Sequence, residues 1–125
     1  MMTNTVLVVD DDQIVHWVLR RFLEGTGYHL VGARNGLETL ELATRERPRL
    51  IILDVMMPDM GGFAVLRQLK NAEATKGIPV IILTGLAQRT TRLEAIASGA
   101  DIFLNKPFTE DQLLAALQQL LPEPG

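Results

Sequence analysis

The sequence predicts a three-layer α/β fold in which one parallel β-sheet lies between two layers of helices. Two observations support this prediction. Short apolar runs rich in Val and Ile alternate with longer amphipathic segments, and this alternation occurs five times along the 125 residues. The strand-like runs are continuously apolar, which is typical of parallel strands that are buried on both faces.

Five runs are predicted as strands because each is short, mainly apolar and bounded by polar residues, glycine or proline. The predicted strands are residues 6–9, 30–33, 50–53, 80–83 and 102–104. Right-handed crossovers between parallel strands would place the intervening helices on both faces of the sheet.

The intervening segments are predicted as helices because apolar residues recur on one face of each. The predicted helices are residues 14–23, 37–46, 63–71, 89–98 and a last one that begins after Thr109. Gly25 and Gly27 end the first helix and Gly99 the fourth, whereas Thr109 is the expected N-cap of the fifth. The residues predicted on the apolar face of the first helix are Ile14, Val15, Val18, Leu19, Phe22 and Leu23.

Composition excludes several classes of protein. The chain has 15 acidic and 12 basic residues, so its net charge of −3 does not favour direct binding of nucleic acid. No apolar run approaches the roughly 20 residues that cross a membrane, and the amino terminus lacks a signal-peptide pattern. The absence of cysteine excludes disulfides, thiolate catalysis and Cys-based zinc sites. We therefore expect a soluble, cytoplasmic protein.

Polar residues follow four of the five predicted strands. Ligands of parallel α/β sheets bind beyond the carboxyl ends of the strands, so these residues are expected to converge on one edge. They are Asp10, Asp11 and Asp12 after the first strand, Asp54 after the third, Thr84 after the fourth and Lys106 after the fifth.

The chemistry of this set suits a phosphoryl group. Crowded carboxylates repel one another, which raises the pKa of at least one of them unless a cation intervenes. Mg²⁺ prefers oxygen ligands, and Asp11, Asp54 and a backbone carbonyl after Asp54 could supply them. Lys106 adds a positive charge and Thr84 a hydroxyl donor. Such a site could hold a phosphoryl group while an oxygen of Asp54 attacks it as the nucleophile.

Four motifs, in this order and spacing, identify a known family. They are VLVVDDD (6–12), IILDVMMPDMGG (51–62), VIILTG (80–85) and GADIFLNKPF (99–108). The chain resembles the CheY-like receiver domain of response regulators in two-component signalling, over nearly its whole length. The resemblance implies a flavodoxin-like (βα)5 fold with strand order 2-1-3-4-5, as a single receiver domain over residues 1–125 with its core at about 4–121.

The resemblance also implies a role for each polar residue at the sheet edge. Asp54 is the expected phospho-acceptor, Asp11 a direct ligand of Mg²⁺, and Asp10 an outer acid that reaches the metal through water. The backbone carbonyl of Met56 is the expected third protein ligand, and Lys106 is the expected phosphate-binding lysine.

A conformational switch is implied as well. Thr84 is the expected switch hydroxyl and Phe103 the aromatic switch residue, and the Lys106–Pro107 peptide is expected to be cis. The family commonly has Asp at the position of Gly61 and Ala at that of Gly85. A missing side chain at Gly85 leaves the acceptor open, which predicts fast dephosphorylation.

The implied function is to accept a phosphoryl group on Asp54 from a sensor histidine kinase or a histidine phosphotransfer domain, with Mg²⁺ as cofactor. Self-phosphotransfer and autodephosphorylation are the only reactions expected, so the protein is not otherwise an enzyme. Phosphorylation is expected to change the surface of the fourth helix, fifth strand and fifth helix, which would control an unidentified partner. A monomer or a weak dimer through that surface is expected.

Alternative functions remain at this stage. The chain ends soon after the fifth helix, so it is either a stand-alone regulator or a receiver module excised from a hybrid kinase or a larger regulator. A haloacid-dehalogenase-type hydrolase would need a second acid at Met56, and a flavodoxin would need a Ser/Thr/Gly-rich loop where DDDQ stands. A pseudo-receiver that only binds partners would not need the full set of polar residues.

Several residues have simpler interpretations. Asp12 is predicted to cap the first helix. His16 and His29 stand apart from the acidic cluster in sequence and chemistry and are expected to be non-catalytic. Loop packing is the expected role of the three methionines of the second motif, Met56, Met57 and Met60, because no Cys or His accompanies them.

Trp17 is the most informative of the remaining residues. On a helix of 100° per residue it points away from the apolar face. Two interpretations are equally favoured. Arg20, Arg21 or a neighbouring loop partly covers the ring, or the ring is a docking contact for a partner.

Overall fold

The structure is a computed structural model that describes residues 4–55, 61–85, 93–94 and 96–121. Its sheet consists of β1 (Thr5–Val9), β2 (His29–Ala33), β3 (Leu50–Asp54), β4 (Val80–Thr84) and β5 (Ile102–Asn105). All neighbouring strands are parallel, and their order is β2-β1-β3-β4-β5. The predicted fold class and strand order are confirmed.

Four helices have bounds within the described residues. They are α1 (Gln13–Leu23), α2 (Gly36–Glu46), α3 (Gly62–Asn71) and the C-terminal helix (Glu110–Leu120). Of the helix predicted at 89–98, residues 93–94 and 96–97 are helical, and most of the remainder lies outside the described residues. Among the described helices, none combines the length and the apolar character that crossing a bilayer requires.

The side chains of the strands alternate between two hydrophobic cores. In β3, Leu50 and Ile52 pack on the side of α1 and the C-terminal helix, whereas Ile51 and Leu53 pack on the side of α2 and α3. All four side chains are fully buried. The continuously apolar sequence of this strand is therefore the result of burial on both faces.

The predicted helix boundaries are confirmed where the structure describes them. Oδ1 of Asp12 accepts a hydrogen bond from the backbone N–H of Ile14 at 2.9 Å, so Asp12 caps α1. Thr109 and Gln112 form a reciprocal capping box at the start of the C-terminal helix. Gly99 has φ +98°, a left-handed conformation that favours glycine at the end of a helix.

The apolar face predicted for the first helix is wrong at one position. Ile14 is 68% exposed, whereas His16 is buried together with Leu19 and Leu23. Ile14 lies five residues before Leu19, which places it about 140° around the helix from Leu19. The buried face of α1 therefore includes the imidazole of His16 and does not include the side chain of Ile14.

Strand register brings the carboxyl ends of the strands to a common edge. Val9 is aligned with Leu53, and Asp54 with Leu83 in the next strand. Thr84 is in turn aligned with Asn105. The residues that end or follow β1, β3, β4 and β5 are therefore neighbours at this edge, as the sequence predicted.

Candidate functional site

Asp10 is the first residue beyond β1 and is fully buried. Its backbone N–H donates to the carbonyl of Ala33 at 3.2 Å, which continues the pairing with β2 past the end of the strand. Its Oδ1 accepts a hydrogen bond from the N–H of Asp12 at 2.9 Å. Backbone contacts therefore hold this carboxylate at the sheet edge.

Asp54 is the last residue of β3, so the apolar strand Leu50–Asp54 ends in a carboxylate that is itself buried. Apolar neighbours on both faces fix the strand, and the strand in turn fixes the position of the acid. A rigid strand holds a reactive group more accurately than a loop does. This placement is what a nucleophile at the edge of a sheet requires.

Lys106 links the two acids. Its Nζ donates to Oδ2 of Asp10 at 2.8 Å and to Oδ2 of Asp54 at 3.2 Å. Its own backbone is fixed to the neighbouring strand, because its N–H donates to the carbonyl of Thr84 at 2.7 Å. The Lys106–Pro107 peptide is cis, as expected. One ammonium group thus contacts carboxylates from two different strands.

Burial and charge shift the pKa of two groups in this cluster. Burial raises the pKa of Asp10 above its ordinary value, despite the opposing effects of its hydrogen bonds to Lys106 and Asp12. The nearby charge of Asp54 adds a smaller upward contribution. Burial opposes the charged form of Lys106, but hydrogen bonds and charge from Asp10 and Asp54 outweigh it and raise the pKa of Lys106. The carboxylate repulsion expected from the sequence is present, yet burial is the larger cause.

The acids also fit a divalent cation. Asp10, Asp11 and Asp54 each offer a carboxylate oxygen, and these oxygens all lie within 4.8 Å of one another. Asp10 and Asp54 are buried, whereas Asp11 is exposed. Oxygen donors at this spacing suit a hard ion such as Mg²⁺. The predicted third ligand, the backbone carbonyl of Met56, lies outside the described residues, as do Met57 and Met60.

The predicted switch residues lie close to the acids in the sheet. Thr84 ends β4 and is fully buried. Phe103 is aligned with Ile82 in β4 and is partly buried against the core on the side of α2 and α3. The two residues thus occupy adjacent strands, two positions apart in register.

Two glycines near the acids differ in the space around them. A Cβ on Gly62, the first residue of α3, would lie 2.5 Å from Cα and 2.8 Å from the carbonyl oxygen of Val55. Only glycine therefore allows α3 to begin so close to the residue that follows Asp54. At Gly85, the residue after Thr84, a Cβ would have no neighbour within 4 Å in the described structure.

His16 lies closer to the acidic cluster than its sequence position and chemistry indicate. Its ring is buried, and its Nε2 lies 2.7 Å from the backbone carbonyl oxygen of Asp10. A signal was present in the sequence, because His16 lies on the helical face that also carries Leu19 and Leu23. His29 differs, since it begins β2 at the opposite end of the sheet and is exposed.

Trp17 has the predicted orientation. It is 56% exposed on the outer face of α1, and the guanidinium carbon of Arg21 lies 5.3 Å from the centre of its ring. Partial cover by Arg21 is thus confirmed. Ile14 lies on the same surface of α1, so the exposed apolar area includes both side chains.

The sequence matches the family model described as the response regulator receiver domain over residues 6–118. A response regulator named MprA from Mycobacterium leprae is 40% identical over 116 residues. The matched region is 93% of this chain but 50% of that relative. The MprA protein of Mycobacterium tuberculosis is 39% identical over 120 residues, which are 96% of this chain and 51% of its own. The chain therefore spans about half the length of the curated relatives that it matches.

Solved structures agree with this assignment. The receiver domain of a signal transduction histidine kinase from Syntrophus aciditrophicus superposes with a TM-score of 0.85 at 37% identity. The match covers 94% of this chain and 89% of that one. The chemotaxis response regulator CheY4 of Vibrio cholerae superposes with a TM-score of 0.86 at 34% identity, over 97% of this chain and 100% of its own.

Proposed function

Because the chain belongs to the response regulator receiver family, we propose that Asp54 accepts a phosphoryl group from a phosphohistidine of a sensor kinase or a phosphotransfer domain. One observation carries this proposal. Lys106 contacts Asp10 and Asp54 together, and the oxygens of Asp10, Asp11 and Asp54 lie within 4.8 Å of one another. This set combines a nucleophile, oxygen ligands for a cation and a positive charge for a phosphoryl oxygen.

The proposed transfer is a displacement at phosphorus. A carboxylate oxygen of Asp54 forms the new O–P bond as the P–N bond to the donor imidazole breaks. The electron pair of the P–N bond goes to the ring nitrogen, and a ring that is protonated on its other nitrogen leaves as neutral imidazole. Lys106 then exchanges its contact with the Asp54 carboxylate for one with a phosphoryl oxygen. β3 and β5 hold the two groups in position, so the step needs little rearrangement of the backbone.

Asp11 and Asp54 would hold Mg²⁺ directly, together with the backbone carbonyl of Met56, and Asp10 would contact it through water. When bound, this ion supplies positive charge that offsets the repulsion among the carboxylates and the incoming phosphoryl oxygens. The donor set supports this assignment because it consists of carboxylate oxygens alone, without a nitrogen or sulfur ligand in the described cluster.

Loss of the phosphoryl group completes the cycle. A water oxygen attacks phosphorus, the O–P bond to Asp54 breaks, and inorganic phosphate and the free carboxylate are regenerated. Among the described residues, no atom lies within 4 Å of a Cβ placed on Gly85, and such an open position would give water access to the acyl phosphate and allow fast dephosphorylation. Self-phosphotransfer and this hydrolysis are the only reactions that we propose, and Met56 stands where a haloacid-dehalogenase-type enzyme would have its second acid.

Thr84 and Phe103 would transmit the effect of phosphorylation to the protein surface. The added phosphoryl oxygens are hydrogen-bond acceptors, and the Thr84 hydroxyl would move to donate to one of them. The space left by Thr84 admits the ring of Phe103, which has no hydroxyl and so can be held outside only by packing. The surface of the fourth helix, β5 and the C-terminal helix changes as a result, through a shift between two packings.

The proposed partners follow from this cycle. The donor is a sensor histidine kinase or a histidine phosphotransfer domain, and Trp17 with Ile14 offers it an exposed apolar surface on α1. The output partner would bind the switched surface, which could also form a weak dimer. We propose that residues 1–125 act in the cytoplasm as a single receiver module, either alone or within a larger regulator or hybrid kinase.

Acetyl phosphate tests the proposal without the partner kinase. Incubation with acetyl phosphate and Mg²⁺ should add the mass of one phosphoryl group, and EDTA should prevent the addition. The Asp54→Ala variant should remain unmodified, whereas the control Glu41→Gln, at an exposed acid of α2, should react like wild type. Equal modification of Asp54→Ala and wild type would contradict the assignment of the acceptor.

A further inference from the structure

His16 lies between the helix α1 and the acidic site. Its ring is buried, and its Nε2 is 2.7 Å from the backbone carbonyl oxygen of Asp10. A carbonyl oxygen can only accept a hydrogen bond, so Nε2 must carry the proton. The imidazole therefore donates to the peptide that joins Asp10 to Asp11.

Gly32 in β2 provides the place for this ring. A Cβ on Gly32 would lie 2.9 Å from Nδ1 and 3.0 Å from Cε1 of His16, closer than side chains normally pack. Gly32 is aligned with Val8, so the ring lies over the sheet beside the last residues of β1. The glycine lets the imidazole reach the Asp10 carbonyl, and the two residues form one structural unit.

Asp11 depends on its backbone for its position. Its carboxylate is exposed, and within the described part of the chain no side-chain hydrogen bond or ion pair fixes it. Asp10 and Asp54, by contrast, are both held by Lys106. The orientation of the Asp10–Asp11 peptide therefore decides where the Asp11 carboxylate lies relative to the other two acids.

We propose that His16, seated on Gly32, is a positioning residue that orients the Asp10–Asp11 peptide and thereby sets the affinity of the acidic site for Mg²⁺. This inference rests on the proposed function, because it assumes that Asp11 is a metal ligand. His16 itself does not contact the metal or the phosphoryl group. Residues that orient metal ligands through hydrogen bonds commonly change metal affinity by about 10- to 100-fold when they are replaced.

Three substitutions of His16 separate the hydrogen bond from packing. In His16→Gln the side-chain amide nitrogen can occupy the place of Nε2 and still donate. In His16→Asn the amide is too short to reach the carbonyl, and in His16→Leu the donor is absent while much of the volume remains. We expect the apparent dissociation constant for Mg²⁺ to rise about tenfold in the Asn and Leu variants and to stay within about threefold of wild type in the Gln variant.

Gly32→Ala tests whether the His16 ring needs the space that Gly32 leaves open. The added methyl group must displace the imidazole, so Mg²⁺ affinity should fall as it does in His16→Leu. In His16→Leu the hydrogen bond to Asp10 is already lost, so the methyl group has no donor left to displace, and His16→Leu/Gly32→Ala should bind Mg²⁺ like His16→Leu alone. If the losses of Mg²⁺ affinity in the two single variants add up in the double variant, the proposal that Gly32 acts through His16 is contradicted.

Mg²⁺ affinity is best measured by calorimetry with the metal alone, in the absence of any phosphodonor. Absence of Mg²⁺ binding by wild type would overturn the metal site itself, and with it both the proposed function and this inference. Binding by wild type together with equal affinity in all His16 variants would overturn the inference only.

An independent measurement uses unaltered protein, so it does not depend on whether a variant folds. Nitrogen-15 spectra of the imidazole report which ring nitrogen carries the proton. We expect a protonated Nε2 in His16, and an unprotonated Nε2 would overturn the proposal.

Discussion

Lys106 and Asp10 are 96 residues apart in the sequence, yet Nζ of the lysine donates to Oδ2 of the aspartate at 2.8 Å. The same Nζ donates to Asp54 at 3.2 Å. This ammonium group supplies positive charge to two buried acids and reduces the repulsion between them. The stability of the fold and the chemistry of the site are therefore coupled at one side chain.

Replacing Lys106 with Met should destabilise the protein when no divalent ion is present. Two buried carboxylates lose their counter-charge, and we expect the free energy of unfolding to fall by about 1–3 kcal/mol, less than for a fully buried pair because the Lys106 side chain is 26% exposed. Added Mg²⁺ should recover part of the loss, which thermal unfolding with and without the metal would measure.

Lys76→Met is the matched control for this change. Lys76 pairs with Glu73 at 2.9 Å, but both side chains are largely exposed, so the effect should stay below about 1 kcal/mol and should not respond to Mg²⁺. Equal losses in the two variants would show that the bridge to Asp10 and Asp54 has no special role.

Asp10→Asn should alter how stability depends on pH in metal-free buffer. The raised pKa of Asp10 means that its favourable contribution is present below its ordinary pKa of 3.8 and is lost as pH rises through the folded-state value. The side chain of the variant cannot ionise, so its free energy of unfolding should not fall in this way. The stability of the variant relative to wild type should therefore increase as pH rises, and the variant should be the more stable protein at neutral pH. Unfolding curves in EDTA from acidic to neutral pH would measure the difference, and a constant or reversed difference would contradict the account.

Gly62→Ala should damage both stability and phosphorylation. The added Cβ would lie 2.5 Å from Cα of Val55, so either the start of α3 or the chain beyond Asp54 must move. We expect a loss of about 1–3 kcal/mol in the free energy of unfolding, together with slower modification by acetyl phosphate. Gly77→Ala is the control, because a Cβ at Gly77 has no neighbour within 4 Å, and it should change neither property.

Gly85→Ala should lengthen the lifetime of the phosphorylated protein. The methyl group meets no atom of the described residues within 4 Å, and we expect it to shield the acyl phosphate partly from water. We expect slower release of phosphate, by up to about tenfold, which corresponds to about 1.4 kcal/mol in the barrier. Phosphate release after removal of the donor would measure the rate, and an unchanged or shorter lifetime would contradict the role given to the open position.

Trp17→Ala separates docking from chemistry. Trp17 is 56% exposed and the contact described for its ring is with Arg21, so modification by acetyl phosphate should be unchanged. Transfer from a phosphorylated histidine kinase should become slower, since removal of a large interface side chain commonly costs about 1–2 kcal/mol or more of binding energy. Unchanged transfer and unchanged self-association would remove the docking role.

Much of the fold and of the site could be predicted because the informative residues lie at strand ends. Apolar runs such as residues 50–53 indicate a buried parallel strand, and the polar residue that follows each run indicates the functional edge. Asp10, Asp54 and Lys106 were placed together on this basis, and the structure brings them into direct contact. The contact of one lysine with both acids depends on side-chain orientation, which strand order does not determine.

The first helix shows where sequence patterns become insufficient. Hydropathy places Ile14 in the core and treats His16 as polar, whereas the structure exposes the former and buries the latter. The reversal depends on a backbone acceptor at Asp10 and on space above Gly32. Neither feature can be predicted from a pattern of apolar residues. Every residue has a backbone carbonyl, so the sequence does not show which carbonyl accepts a hydrogen bond from His16.

Reductive trapping tests the central claim most directly. Borohydride reduces an aspartyl phosphate to homoserine, so protein treated with Mg²⁺ and acetyl phosphate, then reduced and digested, reveals the modified residue by mass spectrometry of its peptides. The account predicts homoserine in place of Asp54 alone, and none when EDTA is present. Homoserine at another acid of the cluster, or an unmodified Asp54 in protein that has gained a phosphoryl group, would contradict it.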